Sequence, residues 1–188
     1  AVTKAGTKTY TYDKSGNLAG DGTWTYTYDY RGRMNLSSRV LGTPPPSIRL
    51  NIAYIYDNEG NRLQKTIKGV TKLTYYVNQY YDLEAANTKR HIFAGSEKVA
   101  TIEGPVLTAT TAYHHSDHLS GSSVETNQTG AVLQLTDYHP YGTTRFDKTA
   151  TPYTGNDYKF TGKELDEGTS LYYYGARYYN PALGRFMS

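Results

Sequence analysis

The sequence has no cysteine, so disulfides and thiolate metal sites are excluded; that is compatible with export without establishing it. It is short of apolar residues, with 37% hydrophobic and a mean hydropathy of −0.68. No stretch approaches the roughly 18 apolar residues of a transmembrane helix, so membrane insertion is not expected. Charge of either sign is not in excess: 20 basic and 17 acidic residues leave a net charge of +3. With no Lys/Arg cluster interleaved among aromatics, nucleic acid is not an expected partner. No secretory signal is visible, although a mature or excised chain would show none. Gly-rich phosphate loops, Gly-x-Ser-x-Gly elbows and His-Glu-x-x-His motifs are all missing, and no cofactor is implied.

What fills the gap is tyrosine, 21 residues against 4 Phe and 1 Trp. Its ring buries while its hydroxyl stays hydrogen-bonded or wet, which suits a thin sheet. Disordered segments are poor in aromatic and β-branched residues, so this wealth of Tyr, Thr, Val and Ile argues for order.

The strongest pattern is an internal repeat. Tyr10 to Leu18, Tyr26 to Met34 and Tyr54 to Leu63 each carry Tyr-x-Tyr-Asp-x-x-Gly followed by Asn or Arg and then Leu or Met. Period-two alternation places Tyr10 and Tyr12, Tyr26 and Tyr28, and Tyr54 and Tyr56 on one face of a strand. It predicts stacked tyrosine rows with cross-strand ring pairs. Asp at the first position and Gly at the fourth suit a type I turn with a left-handed glycine, giving a bulged hairpin. Asp13/Gly16, Asp29/Gly32 and Asp57/Gly60 fit, and Asn127 to Gly130 fits again.

Helix signals are weak, with at most a short turn near Leu83 to Asn87. Pro44, Pro45 and Pro46 cannot belong to a central strand and read as a surface loop. The expectation is one continuous all-β unit, a curled antiparallel sheet of Tyr-rich hairpins. Residues 1–112 form the repeat region, whose repeats end near Lys98, and 113–188 a denser terminal segment folded against it as a plug.

The C-terminal half makes a resemblance specific. Tyr113 to Ser123 (YHHSDHLSGSS) is similar to the aromatic-His-x-Asp-His-Leu-Gly-Ser element of YD-repeat, Rhs-type proteins, with Ser120 inserted between Leu119 and Gly121. Thr136 to Gly142 (TDYHPYG) resembles their Tyr-x-Pro-aromatic-Gly element. Tyr158 to Ser188 resembles the hallmark of the Rhs-repeat-associated core, with Glu167 to Leu171 replacing the usual Glu-Thr-Gly-Leu. The resemblance covers nearly the whole chain. It implies hairpins wound into a hollow shell around a C-terminal toxic segment, with the core element closing one end. Bacterial toxin complexes, Rhs effectors and teneurins share that plan, and in many members an aspartic-protease-like site frees the cargo.

The enzymatic possibilities are few. The family cuts at an Asp-Pro-x-Gly-Leu type motif just beyond Gly-Arg-aromatic-x-Ser, and this sequence stops at Ser188. Arg177 matches the family's autoprotease-associated arginine, but an aspartic dyad needs two carboxylates sharing a proton. The plainer role for Arg177 is packing among aromatic rings. His114, His115, Asp117 and His118, with His91 and His139 elsewhere, suggest zinc only if three or four ligands converge; no metal is expected. Asp57 to Asn61 is oxygen-rich, yet its Gly falls too early for an EF-hand loop. Ser116 and Ser120 lie near histidines, but a triad is a matter of geometry.

The expected function is therefore structural: part of an encapsulating shell, or a self-assembled tube or filament, secreted or on the surface of a bacterium or archaeon. The expected partners are copies of itself joined head to tail, or the rest of a longer shell. An unpaired edge at the first repeat, near Tyr10, motivates the self-assembly reading. Two alternatives stand beside it: an autoproteolytic core of a toxin shell cut short of its cleavage motif, and an adhesion or glycan-binding module using the tyrosine stripe.

Overall fold

The computed structural model describes residues 3–42, 48–68, 72–84 and 87–188. The protein is all-β. Among the described residues, fourteen strands, from Thr11–Tyr12 to Thr144–Thr149, form one antiparallel sheet in which every strand bonds to its neighbours in chain order. A small hairpin, Lys4–Ala5 with Lys8–Thr9, precedes it. Glu164–Asp166, Leu171–Tyr173, Tyr178–Asn180 and Arg185–Phe186 make a second, four-stranded sheet. This C-terminal layer lies on one face of the large one. The two share a core of Tyr10, Leu18, Trp24, Tyr26, Met34, Ile52, Tyr54, Leu171, Tyr178 and Met187.

The large sheet curls. Asp21, Trp24 and Arg39 from its start and Gly142, Thr143 and Thr144 from its end line one cavity of about 430 Å³ together with the C-terminal layer. That layer touches both ends: the Leu18 N–H donates to the Met187 carbonyl, and the Tyr172 hydroxyl to the Gly142 carbonyl. The expected boundary at 112/113 falls inside the strand Thr110–Ser116, and the sheet runs on to Thr149.

The hairpin tips follow one design. In each, the N–H of residue D (Asp13, Asp29 or Asp57) donates to the carbonyl of residue D+4, and the N–H of the glycine at D+3 donates to the carbonyl of D. Those glycines have φ of 89°, 75° and 98°, the left-handed region that glycine enters without penalty. The Asp Oδ1 accepts further N–H groups inside each turn, as at Ser15 and Asn17, or Arg31 and Arg33. Asn127 does the same for Thr129 and Ala131.

Asp117 opens another copy of this turn, accepting from Leu119 and Gly121. Ser120 is therefore not an insertion in the local geometry. It occupies the glycine position, at φ 61°. Such a backbone is unfavourable for a side-chain-bearing residue, so Ser120→Gly is expected to stabilise the protein by about 0.5–1 kcal/mol, measured as a denaturant midpoint shift.

Tyr10, Tyr26 and Tyr54 are buried on the face toward the second layer, with Tyr12, Tyr28 and Tyr56 packed against that core. Among the described residues, Tyr26, Tyr28, Tyr54 and Tyr56 form no ring pair with a tyrosine of another repeat. A return strand separates successive tyrosine strands, as Met34–Leu41 lies between Thr25–Tyr28 and Ile48–Tyr56. That spacing is about 10 Å, too far for ring contact between directly aligned side chains. The rings of Tyr54 and Tyr56 meet Tyr178 and Tyr173 of the C-terminal layer instead, at 5.3 and 6.5 Å.

The hydroxyls do the stitching. Tyr28 donates to the Leu18 carbonyl, Tyr56 to Met34 and Tyr138 to Ser122, at 2.8, 2.6 and 2.8 Å. Tyr28 and Tyr56, each just before a turn, reach the residue just after the preceding repeat's turn, and Tyr138 reaches the residue just after the Asp117 turn. Tyr56→Phe is expected to cost about 1 kcal/mol in a denaturant titration, against no measurable change for Tyr30→Phe, whose ring is 87% exposed.

Leu83, Glu84 and Asn87 lie in strands, Glu84 pairing with Asn87, so the helical turn anticipated there does not form at these residues. The loop expected at Pro44 to Pro46 lies outside the described residues.

Candidate functional site

The repeat hairpins place charge where an alternating strand would not. Ile55 pairs with Gln64 and Tyr56 with Arg62, so Leu63 is an extra residue and the strand carries a bulge. A bulge resets which residues face inward. Arg62 and Lys65, three apart, consequently both point to the buried face, while Leu63 is exposed. The same phase puts Met34 and Ser37, and Ser122 and Glu125, inside.

Opposite them, Glu164 and Asp166 sit two apart on the first strand of the C-terminal layer, and so share its inner face. Lys65 Nζ lies 2.7 Å from Glu164 Oε1 and 2.8 Å from Asp166 Oδ1. The Arg62 guanidinium donates to the other oxygen of Glu164 and, at 2.8 Å, to the Tyr178 hydroxyl. Tyr76 completes Glu164 and Tyr54 completes Asp166, both at 2.8 Å. Arg62 is sandwiched between the rings of Tyr76 and Tyr173, 4.2 Å from each centre. Two cations and two carboxylates thus balance in a seam sealed by tyrosines.

Burial alone would raise the Glu164 carboxyl, but Arg62 and Lys65 hold it below the ordinary carboxylate range. Burial would likewise lower Lys65, yet Asp166 and Glu164 hold it above the ordinary lysine range. A carboxylate with a depressed folded value stabilises fully above its unfolded value, near 4.3, and loses that contribution as pH falls through the folded value. Acidification below about pH 4 is therefore expected to release the C-terminal layer before the large sheet. Faster amide exchange at Leu171–Tyr173 than at Ile48–Tyr56 would register it.

This seam was not anticipated from the sequence. Arg177, the arginine singled out there, is exposed, and its guanidinium packs 4.1 Å from the centre of the Phe186 ring. Asp13, Asp29 and Asp57, with Gly16, Gly32 and Gly60, sit at the hairpin tips. His115 bonds Thr126, Asp117 caps its turn, and His114 joins a buried chain described below. Among the described residues no group of three or more His, Asp or Glu is placed to hold a metal ion. No helix among them is long and apolar enough to cross a membrane.

The fold is that of the solved complex TcdB2–TccC3, with a TM-score of 0.75 over 96% of this chain and 12% of that one at 19% identity. The tRNA nuclease WapA of Bacillus subtilis (strain 168) is 30% identical over 191 residues, which is all of this chain and 8% of WapA. Toxin subunit YenC1 of Yersinia entomophaga is 43% identical over 75 residues, 38% of this chain and 8% of YenC1. The chain belongs to the YD-repeat, Rhs-type family. No family model matches it. As a YD-repeat chain it spans about 8% of the length of the curated relatives it matches. Its hairpins are the YD repeats themselves, their Asp closing each turn and their Tyr facing the C-terminal layer.

Proposed function

We propose that this chain is a wall-and-plug segment of a hollow YD-repeat shell, which encloses rather than catalyses and works outside the cell. The observation that carries the reading is the seam. A continuous sheet that curls has its inner face covered by a layer bonded to both of its ends, and buried ion pairs lock that layer in register. A wall of this kind excludes solvent and needs no reacting group. The relatives support it: toxin subunits and a toxin-complex structure share the sequence or the fold. The partner under this reading is more of the same wall.

The test is incubation of the purified chain with fragments followed by mass spectrometry. No new fragment is expected with time. The autoproteolytic alternative predicts instead a cut product from a chain extended past Ser188, and its loss in Arg177→Ala.

Self-assembly is favoured by one feature. Thr144–Thr149 is the last strand of the sheet, its six residues are all exposed, and among the described residues it pairs on one side only. Such an edge accepts a further strand, and head-to-tail contacts build rings or filaments. Sizing and negative-stain images decide between the two: long regular particles support assembly, and a dilution-stable monomer eliminates it.

A further inference from the structure

Beyond the seam, a second buried polar chain crosses five consecutive strands with one residue from each: Asp82, His91, Thr101, His114 and Glu125. His91 Nε2 lies 2.9 Å from Asp82 Oδ2, and His91 Nδ1 lies 3.2 Å from Thr101 Oγ1. The same hydroxyl lies 2.8 Å from His114 Nε2, whose ring reaches Glu125 Oε1 through Nδ1 at 2.8 Å. Asp82, His91, His114 and Glu125 are all buried.

Counting hydrogens gives an imbalance. Each carboxylate accepts only, so each needs an N–H from its histidine. A neutral imidazole has one N–H, which leaves a bare lone pair on the second nitrogen of both rings. Both lone pairs then face Thr101, whose hydroxyl has one hydrogen to give. One ring is served. The other must itself donate to the hydroxyl oxygen, and it does so only with both nitrogens protonated. An unmade bond here leaves buried polar atoms opposed lone pair to lone pair, which is costly.

We infer that this ladder is a proton-binding site, holding one imidazolium shared between His91 and His114 across a single threonine hydroxyl. The surroundings of His91 disfavour it as the seat. Burial, with the Lys89 cation adding to it, pushes His91 down, against the opposing pull of Asp82. Lys89 is paired with Asp157 at 2.8 Å, and Lys98 sits 3.3 Å above the ring of Tyr158, whose ring also stands edge-on to His91. On the other side, Glu125 takes hydrogens from Ser122 at 3.0 Å and from Tyr153 at 2.5 Å, which keeps it a carboxylate beside His114.

Nitrogen-15 NMR of the histidine rings in the full chain at pH 7.5 reads the site directly. One of the two buried rings is expected to show both nitrogens protonated. Thr101→Val removes the shared hydroxyl but leaves both carboxylates and both rings. Each ring then keeps one N–H for its own carboxylate, and the imidazolium signal is expected to vanish. Simple ion pairing between His114 and Glu125 would leave that signal in place in Thr101→Val, and that result overturns the count. Two neutral rings in the unsubstituted chain overturn it as well.

Folding equilibrium gives a second reading. A proton held by the folded state and lost on unfolding makes the folding constant fall up to tenfold per pH unit above about 6.5. Lys98, pushed down to about 7 by burial, adds a slope of the opposite sign, so the readout is the difference between the unsubstituted chain and Thr101→Val. A tenfold-per-unit difference between pH 7 and 8 is expected; equal slopes overturn the proposal.

Discussion

Arg62→Ala is expected to lower the unfolding free energy by about 3–5 kcal/mol, the usual cost of removing one partner from a buried charge network. The residue is 4% exposed, and its loss leaves Glu164 and Asp166 facing Lys65 alone. The Tyr178 hydroxyl and one Glu164 oxygen lose their donor, and the two rings that sandwich the guanidinium lose their filling. Chemical denaturation of the two proteins measures the cost. The double variant Arg62→Ala/Glu164→Gln restores charge balance, so its cost should fall below the sum of the single costs by more than 1 kcal/mol, a coupling expected only of groups in contact. Arg31→Ala supplies the comparison at an exposed tip, where an effect within about 0.5 kcal/mol is expected. A loss at Arg62 no larger than at Arg31 would show that the seam does not hold the plug.

The contrast between those two arginines marks how much was legible in advance. Turn chemistry is local: Asp and Gly at fixed offsets close a bulged hairpin from contacts within five residues, so the tips at Asp13, Asp29, Asp57 and Asn127 could be read directly. The face of Tyr10, Tyr26 and Tyr54 followed from alternation up to the turn. Beyond the turn the bulge shifts the period, and alternation no longer tells which side Arg62 or Lys65 takes. Their partners also lie about a hundred residues away in the chain, Glu164 being 102 positions from Arg62. No periodicity reports a pairing of that kind.

The hairpin at Asp117 was hidden for a different reason. His114 stands where the other copies carry their first tyrosine, Ser116 replaces the second, and Ser120 replaces the glycine. The shared backbone and its Asp survive, while both tyrosines and the glycine have changed. The segment was therefore recognisable through family resemblance and not as a repeat. Its histidines read as a poor metal site because their real partners, Thr101 and Glu125, come from neighbouring strands.

Gly142→Ala is expected to cost about 2–4 kcal/mol, against about 1 kcal/mol for Gly60→Ala. Both glycines have left-handed backbones, with φ of 89° and 98°, so the backbone penalty is common to the two. Their surroundings differ. A Cβ on Gly60 would meet nothing within 4 Å, whereas one on Gly142 would run into the ring of Phe160. That ring is wedged between Tyr138 of the wall and Tyr172 of the plug, 5.7 and 6.1 Å from their centres. It cannot retreat without disturbing one of them, and the Tyr172 hydroxyl also depends on the Gly142 carbonyl, at 3.0 Å. The extra cost should therefore be spent at the far end of the plug, away from the Arg62 seam. Amide exchange is expected to quicken in Gly142→Ala at Phe160–Gly162 and Leu171–Tyr173, while the early hairpins keep their protection. Equal costs for the two substitutions would mean that the last hairpin and the plug are not packed against each other, and that the C-terminal layer is anchored at one end of the wall only.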